Sequence, residues 1–446
     1  MRKLLSLCCA LGMVNTPAAA EDISPFTYDF TLSLERSAWE GVTLGDDQSA
    51  DRLVEEEYEF AIALEYQVSD ALYLFFTGTL TDDREIVETA GTEEKIQGLE
   101  RTLMGVGYYF GEQVNSELNI GRLEFLSASD WWIWWDEELD AIRLQSNYRA
   151  FDAMLALAEE QAPANTDEDF IDPEIDGVKR LLVSLAWELA ESQSVILYYL
   201  DQRDDSGSFR VGDTEKFDRV DESDADLAWT GISYLADFDL ESVGEIEIEI
   251  HTARVDGDET LYEFGDAESG RSEVEELEQR SVEGTARSFL VGWRPARLDE
   301  LKLIVGRAQG DGDPDPDDDR DRSFRQTGLQ GDSESFGEFY QPELSNLNVD
   351  LLGFSWEVSD GVELALLNYS YEQREPAEEM RDVVIANDTT GSSRNLGTET
   401  DLVLTVDARD HLEMILTLAE FRPGSAYGEF SNETSSFIKF ELDYEF

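Results

Sequence analysis

Apolar residues along most of this chain recur at every second position, not every third or fourth. Tyr58, Phe60, Ile62, Leu64, Tyr66 and Val68 alternate with Glu57, Glu59, Ala61, Ala63, Glu65 and Gln67. The same beat runs from Leu181 to Leu189, Ile246 to Ile250, Leu402 to Val406 and Leu412 to Leu418. A period of two puts successive side chains on opposite faces of a strand, so each segment has one apolar and one polar face. The polar faces carry rows of carboxylates: Glu57, Glu59 and Glu65 on one segment, and Glu245, Glu247 and Glu249 on another. Glu188 and Glu413 share this inward parity. A narrow sandwich core has no room for such rows, whereas the wet lumen of a membrane barrel does.

Eighteen such segments can be counted, among them 58–68, 225–235, 244–255 and 282–293. Connections alternate in length. Ser69-Asp70, Glu191-Ser192 and Ser359-Asp360 are short, while 159–177, 204–224, 256–281 and 308–346 are long. An even count with short turns at one end and long loops at the other predicts an all-β chain. The fold expected is a transmembrane antiparallel β-barrel of about 18 strands. The final row Ile438, Phe440, Leu442, Tyr444 and Phe446 resembles the closing-strand signal that the barrel-assembly machinery of the outer membrane reads. Outer-membrane lipid then surrounds the barrel, and both ends of the chain face the periplasm. Phe324–Leu347 is too rich in Phe, Tyr and Leu for a solvated loop, which predicts that it folds over or into the lumen.

The first twenty residues follow another logic. Arg2 and Lys3 precede the apolar run Leu4–Val14, and Ala18-Ala19-Ala20 offers a small-residue cleavage site. Met1–Ala20 reads as a signal peptide, which leaves 21–446 as an outer-membrane barrel with long extracellular loops. Cys8 and Cys9 leave with the signal.

Charge narrows the functional classes. The 446 residues hold 101 Asp+Glu against 33 Lys+Arg, a formal net charge of −68, so no nucleic acid is expected as a partner. With 9 Trp, 16 Tyr and 23 Phe, the acidity is not that of a disordered tail. His251 and His411 are the only histidines, and a Cys-based zinc site or a Cys/His pair lacks its ligands. Carboxylate pairs are too abundant here to nominate a catalytic site, and the chain reads as no enzyme. No cofactor is expected, with one exception. Asp311-Gly-Asp313-Pro-Asp315-Pro-Asp317-Asp318-Asp319 offers Ca²⁺ oxygen ligands at two-residue spacing, without the Gly and Glu of an EF-hand loop. The plainer reading of the acidic loops is a solvated surface suited to high salt.

Trp131, Trp132, Trp134 and Trp135 lie between the fifth and sixth segments. They read as part of the interfacial aromatic belt, or alternatively as a stacking platform for sugar rings at a pore mouth.

Several stretches resemble the alginate-export family of outer-membrane porins. They are Gly121-Arg122-x-Glu124 with Trp134-Trp135-Asp136, and, more closely, Phe324-Arg325-Gln326-Thr327-Gly328-Leu329, Phe336-Gly337-Glu338-Phe339 and Glu343-Leu344-Ser345-Asn346-Leu347. The resemblance implies a monomeric barrel that exports an anionic, alginate-type exopolysaccharide through an arginine-lined constriction. Periplasmic export proteins are the implied partners. Arg122 and Arg325 match the family words. Strand parity adds Arg101 and Arg143 as inward cations, and Arg suits a polyuronate through its planar bidentate fork. Glu124, Asp136 and Glu338 are the acids expected to pair with them. Alternatively, each arginine is a lumenal salt bridge bracing the wall. The inward glutamates favour a different channel, a general or cation-preferring porin for small solutes.

Overall fold

A computed structural model describes residues 25–446 apart from 46–51, 88–91, 130, 167–169, 205, 208, 268–269, 317, 332–334, 410 and 432. The expected signal peptide Met1–Ala20 lies outside the described residues.

Among the described residues, eighteen long strands run up and down from Phe26–Glu40 to Ser435–Glu445, each antiparallel to the next. The last strand pairs with the first, from Thr31 opposite Glu445 to Glu40 opposite Ser436. The sheet is a closed barrel. Hydrocarbon offers no partner to a backbone N–H or C=O, so a spanning sheet must have no edge. Two short pieces, Thr214–Lys216 and Arg320–Asp321, pair with the strand Arg271–Pro295 at its loop end.

Each alternating segment in the sequence is a strand. Several strands outrun their apolar row at the loop end: Arg52–Ser69, Ser223–Leu240, Gly244–Ala267 and Arg271–Pro295. Backbone pairing continues there, but with water on both faces nothing forces the alternation to persist.

Parity decides what each side chain meets. The apolar row of Tyr58, Tyr66, Leu74, Leu80, Met104, Ile120, Ile142 and Leu352 is exposed on the outer surface, where lipid covers it. The opposite row places Glu57, Glu247, Glu249 and Glu413 on the lumen. At the short-turn end, exposed Tyr108, Phe110, Tyr148, Phe151, Trp187, Trp293 and Trp356 form an aromatic girdle. Phe151 stacks on Trp187 within it, with ring centres 5.7 Å apart.

One part of the wall is irregular. The strand Asn115–Leu126 pairs with Thr92–Phe110 only from Ser116 to Arg122. Its hairpin partner Asp136–Tyr148 pairs with Phe151–Ala158 only as far as Ala141. Beyond those points the two strands continue to pair with each other, Leu123 with Leu139 and Leu126 with Asp136, so the hairpin tip leaves the wall. Gly121 is where the departure starts. Its φ is 146°, and a Cβ there would lie 1.9 Å from the Met104 carbonyl oxygen. Chain from the next loop fills the breach. Arg101 N–H donates to Ala164 O at 2.8 Å and Thr166 N–H to Leu99 O at 3.1 Å. Leu99 N–H donates in turn to Thr166 Oγ1 at 2.9 Å.

Gly121→Ala should destabilise the barrel by roughly 1–3 kcal/mol through backbone strain and the clash with Met104. Guanidinium unfolding of the protein in detergent measures this, and an unchanged midpoint would contradict the role given to Gly121.

Candidate functional site

The hairpin tip carries the four tryptophans into the lumen. Trp131, Trp132, Trp134 and Trp135 are all at most 5% exposed. Trp134 stacks on Tyr198 at 4.8 Å, and Gly231 on the facing wall leaves space for its ring. Trp132 stacks on His251 at 5.8 Å, and Trp131 meets Phe336 edge-on at 5.1 Å. The turn itself is tied by serines. Ser127 Oγ accepts the N–H groups of Trp134 and Trp135 at 2.7 and 2.9 Å. Ser129 Oγ accepts Trp132 N–H at 3.1 Å and donates to the Glu249 carboxylate. Glu249 also lies 3.2 Å from His251 Nε2, and the other ring nitrogen lies 2.8 Å from Ser233 Oγ.

The belt reading of these tryptophans is corrected. The girdle is built from other aromatics, and the Trp cluster is inside because its hairpin leaves the wall. It is no open sugar platform either, since its ring faces are covered by protein. Ser129, Ser233 and His251 escaped the sequence reading. The available signal was His251 continuing the inward row of Glu245, Glu247 and Glu249.

A second segment enters the lumen, as its composition predicted. Phe324, Leu329, Phe336, Phe339, Tyr340 and Leu344 are each at most 3% exposed. Arg325, 5% exposed, is clamped between acids: its Nη2 lies 2.7 Å from Glu259 Oε2 and 2.7 Å from Asp321 Oδ2. Arg280 Nε adds a 2.6 Å bond to Glu259. Burial works against the Arg325 charge, but Glu259 and Asp321 outweigh it and hold the guanidinium more firmly protonated than usual. For Asp321, burial alone raises the carboxyl, yet the Arg325 bonds hold it below the ordinary carboxylate range. Removing either acid leaves the buried cluster of Arg325 and Arg280 with an excess positive charge, which is costly.

The two segments lock onto each other. Thr327 Oγ1 donates to Trp134 O, Gln330 Nε2 to Ile133 O at 3.2 Å, and Asp136 N–H to Leu329 O at 2.6 Å. Trp229 Nε1 donates to Arg325 O at 2.8 Å. Further along, buried Glu399 accepts Phe339 N–H at 2.7 Å, Tyr340 N–H at 3.1 Å and the Tyr371 hydroxyl at 2.9 Å. Tyr340 stacks on Phe421 at 4.6 Å. Glu343 Oε1 accepts Gln326 N–H at 2.6 Å. Burial pushes the Glu343 carboxyl up to about 7, against the opposing pull of Arg381 at 3.9 Å.

The space left is a cavity of 1770 Å³ bordered by sixteen carboxylate side chains and four cations. Each of those cations is held by acids. Lys302 pairs with Glu247, Arg325 with Glu259 and Asp321, Arg381 with Glu343, and Lys439 with Glu338 at 3.9 Å.

Of the residues singled out in the sequence, Arg325, Asp136 and Glu338 border this cavity. Arg101, Arg122 and Arg143 lie on the fourth, fifth and sixth strands and are not among the residues bordering it. Arg101 grips Asp140 with both Nη atoms, one at 3.0 Å, and reaches Ala162 O at 3.1 Å. Arg122 bonds Glu160 Oε2 at 2.9 Å. These contacts pin the chain that fills the breach, as wall-bracing salt bridges do. Arg143 donates to the backbone carbonyl of Glu124, not its carboxylate, and lies over the Phe125 ring at 5.3 Å. In the Asp-rich run, Arg322 bonds Asp313 at 3.3 Å and Asp318 at 2.8 Å, and Arg374 lies 3.3 Å from Asp311. Asp317 lies outside the described residues.

Residues 79–440 match the family model for alginate export. No curated protein matches the sequence. The barrel is similar to solved structures at low identity. Pseudomonas aeruginosa OccK5 (OpdH) is 11% identical over 96% of this chain and 99% of that one, with a TM-score of 0.57. The outer membrane protein opdK of Pseudomonas aeruginosa is 9% identical over 94% and 98%, with a TM-score of 0.56. Acinetobacter baumannii OccAB2 is 11% identical over 94% and 98%, with a TM-score of 0.55. At such identities the likeness is one of fold.

Trp134→Ala should loosen the packed tip from the wall and raise single-channel conductance in planar bilayers, at a stability cost of about 3–5 kcal/mol. Equal conductance would mean the tip does not narrow the conducting path. Glu343 gives a pH dependence of definite sign. Its carboxyl titrates near 7 in the folded protein against a usual 4.5, so the ionised form is disfavoured there. The Glu343 contribution to holding the inward segment is full below pH 4.5 and is lost as pH rises through 7. Open-channel noise should grow over that range, and Glu343→Gln should flatten the profile.

Proposed function

This chain belongs to the alginate export family, and we propose that it is a cation-preferring channel for small neutral or positively charged solutes. It is an outer-membrane channel of a Gram-negative bacterium. The observation that carries the finer reading is the charge of the lumen. Sixteen carboxylates border the cavity, and its four cations are already paired with acids. Fixed charge of one sign in a confined aqueous path concentrates counter-ions and repels co-ions within a Debye length, about 8 Å at physiological salt. A polyanion entering here meets repulsion and, among the described residues, finds no cavity cation free of an acid partner.

Family membership favours a second reading, export of an anionic exopolysaccharide. Arg101, Arg122, Arg143 and Arg325 then supply the cationic contacts, with Glu124, Asp136 and Glu338 tuning them. This reading requires the arginines to exchange protein carboxylates for sugar carboxylates as the polymer passes. Such an exchange costs the breach its pins at Arg101 and Arg122.

Reversal potentials across a KCl gradient decide between the two. The wild-type channel is expected to favour K⁺ over Cl⁻ and to be indifferent to oligouronates. Anion preference, or block by oligouronates that weakens in Arg325→Ser, would replace the first reading with the second.

A further inference from the structure

We propose that Asp204, Asp221 and Asp224 form a binding site for a hard divalent cation, Ca²⁺ by its donor chemistry, at the long-loop end of the barrel. Asp204 follows directly on the strand Gln193–Arg203, and Asp221 and Asp224 flank the start of the strand Ser223–Leu240. One carboxylate oxygen from each lies within 4.8 Å of the other two. Clustered acids alone are common on this protein. What distinguishes this group is Asp221, which is 3% exposed. Its Oδ1 accepts Ser223 N–H at 3.2 Å, but its Oδ2 is buried with no hydrogen-bond partner among the described residues. A buried carboxylate oxygen without a donor or counter-ion is costly.

Among the described residues, the nearby donors serve mainly the other two carboxylates. The Ser206 hydroxyl donates to Asp204 Oδ1, lies 3.5 Å from Asp224 Oδ1 and also favours the Asp221 carboxylate. Ala225 N–H reaches Asp204 Oδ2 at 3.3 Å. Gly207 N–H donates to Asp224 Oδ1 at 2.8 Å, and the Tyr262 hydroxyl donates to Asp224 Oδ2. Each of these carboxylates keeps lone pairs for a metal, and the Ser206 oxygen adds a neutral ligand. All of the donors are oxygen, with no nitrogen or sulfur, which suits Ca²⁺ or Mg²⁺ and not zinc. The spread of the oxygens and their irregular setting fit the flexible shell of Ca²⁺ better than the strict octahedron of Mg²⁺.

Burial, with repulsion from Asp204 and Asp224 added, pushes the Asp221 carboxyl up to about 6, against the hydrogen bonds of Ser206 and Ser223. The Asp311–Asp319 run differs, because Arg322 and Arg374 already bind its acids. A cation at the triad would staple both ends of the 204–222 connection. That connection carries Thr214–Lys216, which pairs with Arg271, Ser272 and Glu273.

The test uses the full chain refolded in detergent at about 0.15 M salt, where diffuse attraction to acidic loops is screened. Tb³⁺ luminescence sensitised through Tyr262, displaced by Ca²⁺, reads the site directly. The expected result is one saturable site per chain, weakened at least about tenfold in Asp221→Asn and unchanged in Asp318→Asn. Trypsin cleavage at Arg210 and Lys216 of the wild type should slow on adding Ca²⁺ and recover with a chelator. The proposal is overturned if the wild type shows no saturable Ca²⁺ site, or if Asp221→Asn binds Ca²⁺ as tightly as the wild type. If Asp221→Asn does not fold, the wild-type titration and the trypsin assay decide it alone.

Discussion

A barrel in a membrane is stable only while every strand keeps a hydrogen-bonding partner on both sides, and this constraint organises the molecule. Eighteen strands meet it by closing the first onto the last. Where the fifth and sixth strands turn inward, the fourth loses its neighbour, and residues 164–166 take the vacated place. The arginines beside the breach follow from that substitution. Arg101 and Arg122 meet Asp140 and Glu160 because the replacement chain must be held sideways, by side chains, where a continuous ladder would have held it by backbone alone.

Turning the hairpin inward also solves a second problem. A ring of eighteen strands encloses more space than its inward side chains fill. The Trp-bearing tip and the segment around Arg325 occupy part of it, and each is the other's support. Aromatic burial supplies the attraction between them. Direction comes from the polar contacts: the Arg325 clamp, the serine-tied turn and the Glu399 hub accept bonds only in one arrangement. What remains open is lined by acids, because the inward rows of the strands are acidic and the inward segments bring few cations of their own.

The strands and their sidedness were legible in the sequence, since period two is a local property that survives without knowledge of the rest. Tyr58 outward and Glu57 inward follow from adjacency alone. The entry of Phe324–Leu347 was legible for a similar reason: six large apolar side chains in a loop must find cover. The fate of Trp131–Trp135 was not. Nothing near those residues says that the hairpin leaves the wall, because the cause is the geometry at Gly121 together with the room left by Gly231, far along the chain. The pairing of Arg122 with Glu160 was hidden likewise. Parity gives a side chain its face but not its partner, and here the partner arrives from a loop that had no reason to be beside it.

The breach has a consequence for how the barrel comes together. Adding hairpins one after another cannot complete the wall at the fourth strand, because the chain that finishes it lies beyond the seventh. Until then the Leu99 and Arg101 backbone groups lack their final partners. The fourth strand must wait, its upper half in water or in the care of another surface, while three more strands are laid down. Closing that loop costs chain entropy that an undistorted up-and-down barrel does not spend. The seam at residues 164–166 can close only when chain from beyond the seventh strand reaches the fourth.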